Sequence, residues 1–168
     1  MLEVKKKFTN ILDELSINLI CVVKNEILLL PYFISHYKKI GVTHFTFIDN
    51  NSNDGTFEYL SECKDIDCQL YQTSDSYAEN NYGISWVNEI LNSQFKDRWC
   101  IVVDVDELLF LKDSNADLPT LRNAMINEKS NIVTTALLDF YPKNFNYTHY
   151  KQSESFMSHS NYYDEMKT

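Results

Sequence analysis

Apolar residues along this chain come in short β-branched runs that alternate with stretches of helical spacing. Residues 17–23 read INLICVV, the pattern of a strand buried on both faces. After Glu26, Leu30, Phe33, Ile34, Tyr37 and Ile40 recur at helical spacing, with Pro31 suited to a first turn and Gly41 to a stop. Thr43 to Ile48 predicts a second strand, followed by a polar run from Asp49 to Thr56 that is rich in turn formers. Asn53 or Asp54 can cap a short helix through Leu60. Gln69 to Tyr71 predicts a third strand, Tyr82 to Leu91 a helix and Trp99 to Val103 a fourth strand.

Farther on, Asp117 before Leu118-Pro119 predicts a capped helix through Ile126, and the apolar run Ile132 to Leu138 a further strand. From Lys143 to Thr168 polar and aromatic residues follow no period. The pattern divides the chain into an N-terminal extension (1–16), an α/β domain (17–142) and an irregular tail or start of another region (143–168). Strands alternating with helices imply a Rossmann-like, mostly parallel sheet with helices on both faces.

Composition narrows the possible partners. The chain has 168 residues, of which 44% are hydrophobic and 14% aromatic, enough to bury a single-domain core. A formal charge of −9 argues against nucleic acid, which needs a basic face. Lys5, Lys6 and Lys7 precede an apolar stretch broken by Asp13, Glu14 and Asn18, which reads as no targeting segment. The apolar runs are too short to cross a bilayer, so membrane contact would be peripheral. Cys21 and Cys100 sit in strand-like runs, and Cys63 and Cys68 lack the partners of a zinc site, which fits a reduced, cytoplasmic setting.

In an open parallel sheet, ligands bind beyond the carboxyl ends of the strands. Three loops lie there, beginning at Lys24-Asn25-Glu26, Asp49 and Asp104. If strand geometry persists through Asp104-Val105-Asp106, the two carboxylates face one side, as ligands of one hard cation would. Mn²⁺ or Mg²⁺ there would neutralise charge on a departing phosphate. Asp106 is assigned to the metal, and Asp104 to the ribose or to the metal through water. Glu107 either orients a metal-bound water or caps the following turn. Asp49 could accept the ring N–H of a uracil-like base, with the Asn50 and Asn51 amides nearby, although an Asx turn also accounts for it. Lys24 could approach phosphate.

The succession CVVKNE, HYKKIGVTHFTFIDNNSNDGT and RWCIVVDVDELLF, with LLDFYP beyond, resembles glycosyltransferase family 2 and its relatives of family 92 type. The resemblance spans Ile17 to Pro142. It implies a GT-A fold, a nucleoside-diphosphate sugar donor (a UDP-sugar favoured), a glycan or other hydroxyl acceptor and a divalent metal at the D-x-D. By position, Asp49 matches the base-recognition acid, Asp104 and Asp106 the D-x-D pair, and Asn25 with Glu26 the loop after the first strand. Residues 78–83, AENNYG, depart from the alanine-arginine-asparagine run that many family 2 members use for the diphosphate, leaving Asn81 or Tyr82 as candidates.

The resemblance further implies an acceptor-side half, which would be largely absent from a chain of this length. The candidate catalytic base is then Asp139 in LLDFYP, with Asp164-Glu165 as the other choice. His36 and His44 read as structural, and His149 and His159 either as exposed residues of the tail or, for one of them, as a group that could approach the metal as in some GT-A enzymes. Two other readings stand beside glycosyl transfer. One is a haloacid dehalogenase-like phosphatase, which shares strand-then-D-x-D but expects it near the start and followed by Gly-Thr, where this chain has Glu107-Leu108. The other is a truncated, non-catalytic nucleotide-binding domain.

Overall fold

A computed structural model describes residues 1–113 and 115–141, and the backbone of 162–163. Strands β1 (Glu3–Lys6), β2 (Ile17–Val23), β3 (His44–Asp49), β4 (Asp67–Gln72) and β5 (Trp99–Val102) form one sheet in the order β1-β4-β3-β2-β5. The β2–β3, β3–β4 and β2–β5 pairs are parallel, and β1 adds antiparallel to β4. Helices α1 (Leu30–Lys39), α2 (Thr56–Glu62), α3 (Ile84–Gln94) and α4 (Leu118–Asn127) connect or follow these strands. A second, two-stranded ladder pairs β6 (Phe140–Tyr141) with β7 (Tyr162–Tyr163).

The period-2 geometry of the strands sorts their side chains onto two faces. Leu19, Cys21 and Val23 of β2, Phe45 and Phe47 of β3, and Cys68 and Leu70 of β4 share one core with α1, α2 and α4. Ile20, Ile48 and Tyr71 turn to the other face, where Trp86, Val87 and Ile90 of α3 cover them. Helices therefore lie on both faces, as the alternating pattern implies.

β2 has its expected bounds, and β3 is displaced by one residue, ending at Asp49. Asp117 caps α4 by accepting from Thr120 N at 2.8 Å, and α1 carries Pro31 in its first turn. Gly55, with φ +98°, is the N-cap of α2, while Asp54 beside it accepts from Thr56 N at 3.0 Å. α3 starts at Ile84 rather than Tyr82, because Asn81, Tyr82 and Gly83 all hold positive φ, which a right-handed helix excludes.

Two departures change the architecture. The segment read as an extension contributes β1, whose Lys6 Nζ also donates to the Cys63 carbonyl at 2.5 Å and to the Leu60 carbonyl at 3.2 Å, capping the end of α2. Thr9 and Asn10 then donate to the Asp67 carboxylate. The expected strand Ile132 to Leu138 does not form: residues 131–139 are irregular and exposed, with Ile132 at 78%. β-propensity stabilises a strand only when a neighbour accepts its ladder, and no strand lies beside this run among the described residues. Among the same residues no helix is long and apolar enough to cross a membrane.

Candidate functional site

The loops after β2 and β3 are built as one unit at the carboxyl end of the sheet. Asn25 takes φ +61°, a conformation Asn tolerates, and its N–H donates to Ser52 Oγ at 2.9 Å. In return the Asn53 N–H donates to Asn25 Oδ1 at 2.8 Å. The Glu26 N–H donates to Thr56 Oγ1 at 2.8 Å, and the Ile27 N–H to Asp54 Oδ2 at 3.2 Å. Four bonds thus fix the spacing between the two loops. Asn25 helps to shape the site with its own side chain, and exposed Asn51, at φ +57°, marks the turn.

Asp49 is fully buried where β3 ends. Its Oδ2 accepts from Ser52 N at 3.2 Å and from Gln72 Nε2 at 3.3 Å. Its Oδ1 is buried and has no hydrogen-bond partner. The turn reading of Asp49 therefore accounts for one oxygen and leaves the other without a donor. Asn50 is committed elsewhere, its Nδ2 donating to the Thr73 and Asp75 carbonyls.

Asp104 to Glu107 follows β5, but strand geometry does not persist through it. Strand structure ends at Val102, and the Glu107 N–H closes a turn onto the Asp104 carbonyl at 3.0 Å. Asp104 and Asp106 are both exposed on either side of buried Val105. Anchoring of the apolar residue between them, rather than a pleat, presents the two carboxylates to solvent. Glu107 reaches back to the Asp104 N–H at 3.4 Å, which favours a capping role over one toward a metal-bound water.

α1 holds this loop in place. Tyr37 Oη donates to the Glu107 carbonyl at 3.1 Å and accepts from Leu109 N at 3.1 Å, while His36 Nε2 lies 2.9 Å from the Leu109 carbonyl. Burial pushes the Tyr37 hydroxyl up to about 12, so it stays protonated and able to donate. Burial also lowers His36, which keeps its ring neutral. The sequence pattern places Tyr37 in the core and His36 in a structural role, and stops there. The signal for more is a hydroxyl on an apolar helix face, which needs a partner once buried.

Charge links the loops. The buried Cys21 thiol of β2 is pushed up well above its usual range, first by burial and then by Asp104, Glu26, Asp106 and Glu107. Glu26 is itself raised, by burial and then by Asp106 and Asp54. Carboxylates of the loops after β2 and β5 thus act on the same buried thiol of β2. Among the described residues no lysine, arginine or histidine is ion-paired with these carboxylates.

Beside Asp104 opens a cavity of ≈ 290 Å³ between β5 and the start of α3. Tyr77 and Tyr82 line it as an edge-to-face pair, ring centres 5.8 Å apart. The sequence offers Tyr82 only as a candidate for the diphosphate, and no local pattern points to the cavity.

The profile described as glycosyltransferase family 92 matches residues 20–168. The chain belongs to glycosyltransferase family 92. No curated protein and no solved structure matches it. The family 92 match favours glycosyl transfer over the phosphatase reading. It also covers the stretch carrying Asp139, which is exposed in the irregular segment before β6 and takes no part in the bonds joining the β2 and β3 loops. The Asp164-Glu165 pair, His149 and His159 lie outside the described residues. His44 sits at the amino end of β3, 3.6 Å from Asp67, away from the strand ends that carry these loops.

Proposed function

We propose that this family 92 chain carries the donor site of a GT-A-type, metal-dependent glycosyltransferase that takes a nucleoside-diphosphate sugar, UDP-linked for preference, and serves a glycan or other hydroxyl acceptor. The observation that carries this reading is the exposed pair Asp104 and Asp106 after β5, at the same end of the parallel strands as the bonded β2 and β3 loops, with no described cation paired to them.

That uncompensated charge fits a divalent cation, Mn²⁺ or Mg²⁺. Among the described residues no three His, Cys, Asp or Glu side chains are grouped to hold a metal alone. Two exposed carboxylates nevertheless suit an ion that takes one or two protein ligands and completes its shell with phosphate oxygens and water. Asp106 would hold it, with Asp104 beside it or on the ribose. When bound, the cation supplies Lewis-acid stabilisation of the charge that develops on the leaving phosphate.

The remaining steps belong to the chain. The open Oδ1 of Asp49 accepts the base N–H, after a small displacement that lets the ring reach a buried oxygen. The Asn25–Ser52 and Glu26–Thr56 bonds keep the two loops at a fixed separation, so base and diphosphate are met together. Asp139 is the candidate base toward the acceptor hydroxyl. Four free thiols suit a reducing, cytoplasmic setting, with membrane contact, if made, at the surface.

Calorimetric titration with UDP, with and without Mn²⁺, tests the donor site. Metal-dependent binding is expected, and Asp106→Ala should abolish its metal dependence. An unchanged titration in that variant would refute the ligand assignment. Hydrolysis of a panel of nucleotide sugars separates an enzyme from a binding domain without turnover.

A further inference from the structure

Away from the strand ends that carry the acidic loops, the last turn of α2 and the start of β4 place two cysteines around one lysine. Cys68, in β4, is buried in the core cluster that includes Leu60 and Leu70, and its Sγ lies 3.7 Å from the Leu60 carbonyl. Cys63 is the C-cap of α2, one turn past Leu60, and is only partly buried. Lys6 pairs with Leu70 across the β1–β4 ladder. Leu70 and Cys68 stand two apart on one strand, so the Lys6 side chain leaves the sheet on the Cys68 side. Its Nζ donates to the Cys63 carbonyl at 2.5 Å and to the Leu60 carbonyl at 3.2 Å. The Leu60 carbonyl thus meets both the Lys6 ammonium and the Cys68 thiol, while the same ammonium holds the main chain of Cys63.

Capping of α2 accounts for Lys6, and core volume accounts for Cys68. Neither calls for a thiol at Cys63, whose φ of −60° and ψ of 123° any residue adopts. Burial raises the Cys68 thiol, and the hydrogen bond and charge of Lys6 act against that rise. A cation beside thiols favours the thiolate, which is the form that reacts. The other two cysteines lack this setting. Cys21 is buried in β2, burial pushes the Cys100 thiol up to about 11, and among the described residues neither is hydrogen-bonded to a lysine.

We propose that Cys63 and Cys68 form a reversible, peroxide-responsive disulfide site, with the Lys6 ammonium as its activating cation. Cys63, the more accessible thiol, reacts first. Its thiolate attacks one oxygen of hydrogen peroxide; an S–O bond forms, the O–O bond breaks, and the departing hydroxide takes a proton to become water. Cys68 then gives up its proton and its sulfur attacks the Cys63 sulfur, forming the S–S bond and releasing the second water. Two thiols lose two electrons in all, and the peroxide gains them. A dithiol reverses the change. The bridge would tie the end of α2 to β4, on the same short helix whose Thr56 accepts the Glu26 N–H.

Peroxide treatment of the folded chain, alkylation of the remaining thiols and tryptic mass mapping test the pair. Exposed Lys64 lies between the two cysteines, so trypsin parts them unless they are joined. A Cys63–Cys68 cross-link is expected, with Cys21 and Cys100 still alkylated and all four thiols recovered by dithiothreitol. Cys63→Ser should leave Cys68 reduced. Lys6→Met should slow cross-linking about tenfold, and Lys6→Arg should restore most of the rate. Oxidation of Cys63 beyond the sulfenic acid with Cys68 still free, a cross-link that forms only in urea, or equally fast cross-linking of Cys21 or Cys100 would overturn the site. An unaltered rate in Lys6→Met would overturn the role of Lys6.

Discussion

β3 and β5 lie on either side of β2 and present the two ends of the proposed donor site in opposite ways. All six residues of β3 are buried, and it exchanges six-residue ladders with β2 and β4. β5 has four residues, none buried, and among the described residues it pairs with β2 alone. Asp49 therefore ends a strand that the core holds rigid, whereas Asp104 and Asp106 follow a strand held on one side. The difference explains why the acidic loop needs Tyr37 and His36 of α1 to fix it, while the Asp49 loop is fixed by its own neighbours. The proposed base and cation ends of the site thus draw on different sources of order: sheet burial for one and a helix-borne clamp for the other.

The largest contrast should appear in stability. Phe47→Ala, in the buried centre of β3, should cost about 3–5 kcal/mol, and Ile101→Ala, on half-exposed β5, less than about 2 kcal/mol. Urea denaturation measures both, and equal losses would remove the distinction between the strands. Tyr37→Phe should cost about 1–3 kcal/mol, because it leaves the Leu109 N–H and the Glu107 carbonyl without the hydroxyl they share. Amide exchange at Leu109 should quicken while amides of β3 stay protected. Equal acceleration at both would mean that Tyr37 acts as general packing and not as a clamp on the loop.

The smallest effect concerns pH. Glu26 is raised above its ordinary 4.5, first by burial and then by Asp106 and Asp54, so it holds its proton more tightly folded than unfolded. Stability is then lost as pH rises from that ordinary value through the raised one, and stays lost above it. Glu26→Gln should melt higher than the unaltered chain at about pH 7, with the gap closing near about pH 4, where the carboxyl is protonated in both states. Mn²⁺ should narrow the gap at the higher pH. A gap independent of pH would show that Glu26 is not raised in the folded chain, and a pH-dependent gap that ignores Mn²⁺ would leave burial, not the like charge of Asp106, as the cause.

Much of the fold is legible in the order of residues, for identifiable reasons. INLICVV reads as a strand because apolar residues on both faces leave few alternatives, and Asp117-Leu118-Pro119 as a helix start because cap and proline act locally. The order of three polar loops after apolar strands locates the candidate site. β1 is not legible: EVKK carries no apolar alternation, and its place comes from Gln72, Tyr71 and Leu70 across the ladder. Propensity misleads in the opposite sense at residues 132–138, IVTTALL, where β-branched residues find no partner strand among those described.

Interactions within a few residues are enough to specify the periodic elements, the parallel α/β class and the positions of Asn25, Glu26, Asp49, Asp104 and Asp106 at strand ends, so these belong to the sequence alone. What those positions can do belongs to the tertiary structure. It leaves Asp49 Oδ1 buried and unpartnered, turns Asp104 and Asp106 outward around Val105, sets Tyr37 against their loop and opens a cavity beside Tyr82. Each depends on contacts between residues remote in sequence, where burial and neighbouring charge are set by packing and cannot be read from local pattern.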